Sequence, residues 1–77
     1  MTVTCHVTLT AQIAEADREV ARRSTVYPGK VANDLMTQEK ADQEIANMVA
    51  IRDSLVAIKR ASEVFAELKQ VLEEVRS

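Results

Sequence analysis

The chain has one glycine and one proline, and they are neighbours, Pro28-Gly29. These residues are the strongest interrupters of regular structure, so the chain is divided once. Residues of high helix propensity dominate on both sides, and nothing after Thr37 breaks a helix. The pattern predicts an all-α fold, a helical hairpin with one long C-terminal arm. A chain of 77 residues buries only a thin core, and scaffolds this small rely on disulfides, a metal or oligomerisation. Cys5 is the only cysteine and His6 the only histidine, so a single chain has neither an internal disulfide nor a set of soft metal ligands. Oligomerisation is the support left, and no cofactor is expected.

Two regions are expected, an extended N-terminal segment over 1–9 and a helical hairpin over 10–77. In the first, Val3, Cys5, Val7 and Leu9 alternate with Thr2, Thr4, His6, Thr8 and Thr10. This period of two favours an extended strand, either frayed or paired with another chain. The first helix is expected from a Thr10 cap to about Arg23 or Ser24. Its apolar stripe is Leu9, Ile13, Ala16 and Val20, with Tyr27 beyond. Pro28 biases Tyr27 away from the α region, which predicts a break there and a short turn of helix over 28–33 with Pro28 at its first position. Asn33-Asp34 offers a left-handed exit from that turn. The second helix is expected from a Thr37 cap to Val75, with Ile45 and Met48 facing helix 1 alongside Ile13, Val20 and Tyr27.

The lengths then disagree. At about 1.5 Å per residue the second helix runs roughly 57 Å and the first roughly 21 Å. Helix 1 covers Ala41 to Leu55 and leaves the rest of helix 2 without a partner inside the chain. Ile58, Ala61, Phe65, Leu68, Leu72 and Val75 are therefore the candidate interface, with Phe65 as its anchor. Written as heptads, Met48, Ile51, Leu55, Ile58, Ser62, Phe65, Lys69 and Leu72 take the a and d positions. Ser62 and Lys69 spoil a strict seam, so a helical bundle is expected over a long zipper. A homodimer with antiparallel arms in a four-helix arrangement is the simplest closed solution.

Ten basic against twelve acidic residues give a net charge of −2, which offers no attraction for nucleic acid. Arg18, Arg22, Arg23 and Lys30 form a local basic spot at the bend, but helix-dipole complementarity accounts for its arginines. No apolar run reaches the roughly 20 residues that span a bilayer. The first ten residues lack a basic start and a sustained apolar stretch, so a secretory signal is not expected, and the expected location is the cytoplasm. Cys5 and His6 would point to opposite faces of a strand and make no dyad. Glu63/Glu67 and Glu73/Glu74 lie on a helix without a cleft to shift their pKa values, while Lys59, Arg60, Glu63 and Glu67 read as a solvated face. No enzyme activity is expected.

The segments Ile13-Ala-Glu-Ala-Asp-Arg-Glu-Val-Ala-Arg-Arg, Val26-Tyr-Pro-Gly-Lys-Val and Met36-Thr-Gln-Glu-Lys-Ala-Asp-Gln-Glu-Ile-Ala-Asn-Met resemble small helical proteins encoded by bacteriophages and prophages. Residues 10–55 carry the resemblance. Many of those proteins have a glycine before the Leu/Met-Thr step, where this chain has Asn33-Asp34. The resemblance implies a phage setting and the cytoplasm of a bacterial host. There, small acidic helical proteins act by docking on host proteins, including defence or transcription machinery. Three functions compete: a modulator that binds a host or phage protein, an assembly component that acts by self-association, and a nucleic-acid-associated factor working through the arginine-rich bend.

Overall fold

The structure, a computed structural model, describes residues 7–76. Two helices make an antiparallel hairpin, α1 over Leu9–Ala32 and α2 over Gln38–Arg76, and the molecule measures 66 Å along its longest axis. Most of the expected strand lies outside the described residues. Its end differs from expectation, because Leu9 and Thr10 are already helical. Thr8 is the cap: its Oγ1 accepts a hydrogen bond from the Ala11 N–H at 3.1 Å. Capping two residues earlier than Thr10 brings Leu9 onto the half-buried face of α1.

The expected break at Tyr27-Pro28 and the separate turn helix are also corrected. α1 runs unbroken through Pro28. Proline has no N–H for the carbonyl of Ser24, four residues back. Ser24 is exposed, so its carbonyl is not sealed inside the core. Continuing the helix keeps Tyr27 buried and Val31 half-buried, which outweighs the local preference of a residue before proline. Gly29 is helical as well, without a positive φ.

The helix ends where Asp34 adopts φ 58°, the left-handed residue expected from Asn33-Asp34. The Asp34 N–H reaches the Val31 carbonyl at 3.2 Å and the Leu35 N–H reaches Lys30 at 2.8 Å. This crossed pair closes the last turn and satisfies carbonyls that would otherwise be orphaned. Thr37 then caps α2 as expected, accepting from the Lys40 N–H at 3.1 Å, with Glu39 in the positive first turn.

Only Ala16, Tyr27 and Ala41 are buried among the described hydrophobic residues. Ile13, Val20, Ile45 and Met48 are half-buried on the facing sides of the two helices, whereas Pro28 is exposed. Polar bonds set the register. The Tyr27 hydroxyl donates to Glu44 Oε2 at 2.9 Å. Arg23 sits in the apolar stripe of α1 and its guanidinium donates to the Glu44 carbonyl at 2.8 Å. Arg52 and Asp17 pair at 3.4 Å toward the open end. Tyr27 is buried near the turn end of the hairpin, with Glu44 as the partner that sequence spacing did not single out.

Candidate interaction surface

The 24 residues of α1 span about 36 Å and the 39 residues of α2 about 58 Å. α1 is longer than expected, yet the mismatch remains. Half-burial on α2 stops at Lys59, and every described residue from Arg60 onward is exposed. Of the expected interface, Ile58 is 52%, Phe65 69%, Leu68 58%, Leu72 60% and Val75 78% exposed, and Ala61 is exposed with them. Val64 and Val71, which the length mismatch also leaves without a partner inside the chain, are 50% and 54% exposed. Isolated exposed apolar side chains are ordinary, but a continuous stripe of them marks an interface. The chain exposes 6302 Å² in all. A compact monomer of its mass, 8.5 kDa, exposes about 4,700 Å².

The uncovered stripe does not continue the face that meets α1. Ala41, Ile45, Met48, Arg52, Leu55 and Lys59 are the buried or half-buried positions on that face. At 3.6 residues per turn, the mean direction of Ile58, Ala61, Phe65, Leu68, Leu72 and Val75 lies roughly 150° around the helix from it. The arm thus offers its apolar side chains away from the flank that α1 occupies. The heptad frame expected from Met48 onward also shifts. Ser62 and Lys69 leave the seam, and Ile58, Ala61, Phe65, Leu68, Leu72 and Val75 follow one another in steps of three and four.

A second apolar surface was not among the expected sites. Val7, Ala11 and Ala16 on one side, and Met48, Ile51 and Leu55 on the other, line an open groove of about 550 Å³ at the N-terminal end of α1. Ile51 is 51% exposed there. The small side chains of Ala11 and Ala16 opposite two large aliphatic residues are the signal that could have pointed to it.

The three arginines of the basic spot at the bend are engaged within the chain. Arg22 and Arg23 both donate to Glu19, at 2.7 Å and 2.9 Å, and Arg18 pairs with Glu15. Lys30 lies over the Tyr27 ring, 5.5 Å from its centroid. The hydrogen bonds from Arg22 and then Arg23 lower the Glu19 pKa to about 2. The hydrogen bond to Glu44, and then partial burial, raise that of Tyr27. On the arm, Lys59 pairs with Glu63. Among the described residues no group of three or more His, Cys, Asp or Glu could hold a metal ion, and no helix is long and apolar enough to cross a membrane. Comparison with family models, curated proteins and solved structures finds no match.

Proposed function

We propose that this protein performs no chemistry of its own. It joins to a second copy through the distal half of α2 and binds a larger protein with the surface that remains. The observation that carries this reading is the apolar stripe from Ile58 to Val75, which α1 leaves uncovered. Each such side chain left in water forgoes about 1.5–3 kcal/mol of burial, and association recovers it. The groove around Ile51 lies on the hairpin half, outside that stripe, and takes the apolar side chains of the partner. The resemblance of residues 10–55 to small phage-encoded helical proteins supports a host protein as that partner, with takeover of host machinery or defence as the setting.

The test is capture from a bacterial lysate with two immobilised proteins, the wild type and Ile51→Asp. A stoichiometric protein held by the first and lost by the second is the expected result. Identical bands on both overturn the groove as a binding surface.

Self-association as the whole function is the second reading, and the same stripe favours it. It predicts a large ring or filament by light scattering, whereas a closed dimer consumes the stripe and stops growth. Nucleic-acid binding has less support, because Arg18, Arg22 and Arg23 are engaged by Glu15 and Glu19.

A further inference from the structure

We infer that two copies join only by their distal arms, antiparallel, with Phe65 of each chain against Leu68 of the other and the two hairpins at opposite ends of a rod. The inference rests on the proposed self-association and gives it a partner surface, an orientation and a register.

Orientation follows from the order of side chains along the arm. The six stripe residues alternate as a and d positions of a heptad. Antiparallel pairing centred between Ala66 and Glu67 sets Ile58 opposite Val75, Ala61 opposite Leu72 and Phe65 opposite Leu68. Every layer is then apolar on both sides, and small Ala61 meets large Leu72. On one flank Val64 meets Val71, which widens the apolar contact. A parallel in-register pair would instead bring Val64 and Val71 beside the flank that carries Ser62, Lys69 and Arg76.

Area and access agree. The surplus over a compact monomer is roughly 1,600 Å², against about 800 Å² that each partner contributes to a standard interface. Because the stripe is turned away from the flank that α1 covers, the second arm reaches it without displacing α1. The arms therefore meet beyond the hairpins instead of beside them. This replaces the expected side-by-side bundle of four helices with a rod about 95 Å long. Both Ile51 grooves stay outside the joint.

The test uses the full chain on a Cys5→Ser background, with two variants, Ala61→Cys and Leu72→Cys. A disulfide needs Cα atoms within about 7 Å. Residue 61 of one chain faces residue 72 of the other, while like residues lie about 16 Å apart along the arms. After the two variants are mixed, unfolded, refolded and oxidised, a bridged dimer is expected in the mixture and in neither variant alone. Bridging in each variant alone overturns the antiparallel orientation. No bridge in a mixture that sediments as a dimer overturns the register and leaves self-association standing. No bridge in a mixture that sediments at the mass of one chain overturns both. Small-angle scattering of the wild type gives an independent reading, because a longest dimension that stays near the 66 Å of one protomer contradicts the rod.

Discussion

Replacing Phe65 with aspartate should separate the copies. Phe65 leaves 69% of its surface in water within one chain. A phenylalanine presents roughly 200 Å², so covering about half to all of the exposed share in both copies removes about 140–280 Å². At about 25 cal/mol per Å² that is about 3–7 kcal/mol for the pair. Aspartate forfeits this and sets a carboxylate in an apolar seam, which adds to the loss. At about 1.4 kcal/mol per tenfold, the dissociation constant should rise by two to five orders of magnitude. Sedimentation velocity at micromolar concentration reads the change directly. Ala66→Asp is the control, because residue 66 lies on the opposite side of the arm from the stripe and its variant should keep the wild-type mass. Circular dichroism guards against a trivial outcome. The covered hairpin should stay helical in Phe65→Asp, and the freed arm should lose part of its helicity, as isolated helices of this length do. An unchanged mass for Phe65→Asp would refute the reasoning.

Three further predictions concern the hairpin. Gly29→Ala should stabilise the fold by about 0.5–1 kcal/mol, because Gly29 is helical and an added Cβ meets nothing within 4 Å. A thermal melt shifted upward by roughly 4–8 °C per kcal/mol checks it, and a lower midpoint would mean that the helix breaks at Pro28. Tyr27→Phe should cost about 0.5–1.5 kcal/mol by removing the hydroxyl that Glu44 accepts from, read as a lower midpoint in urea at an unchanged slope. Glu19, with its pKa lowered from 4.5 to about 2, contributes stability that is fully present above pH 4.5 and fades as the pH falls toward 2. Glu19→Gln should be less stable than the wild type at neutral pH, and the gap should close across that window. A gap that stays constant with pH would show that Arg22 and Arg23 do not hold the carboxylate.

The hairpin was legible in the sequence because its signals are local. The Thr37 cap, the left-handed residue at Asp34 and the stripe of Leu9, Ile13, Ala16, Val20 and Tyr27 each depend on neighbours within a few residues. The length of α1 was not legible, because the preference of a residue before proline is also local. It lost to a distant partner, the Glu44 carboxylate that receives the Tyr27 hydroxyl across the hairpin. By composition Arg23 belongs to a basic spot, although its place in the apolar stripe aims it at α2. The groove has no local signature because it is made by two segments far apart in sequence, with alanines whose small size matters only once Ile51 and Leu55 stand opposite. The uncovered arm itself was readable from length alone, since no rearrangement of so short a first helix could cover the second.

Sedimentation equilibrium of the wild-type chain across a dilution series puts the central claim to its most direct test. The account predicts a single species of twice 8.5 kDa that gives way to the single chain only on strong dilution. A mass of 8.5 kDa at every concentration, with the helix content of the full-length α2 retained, would contradict it.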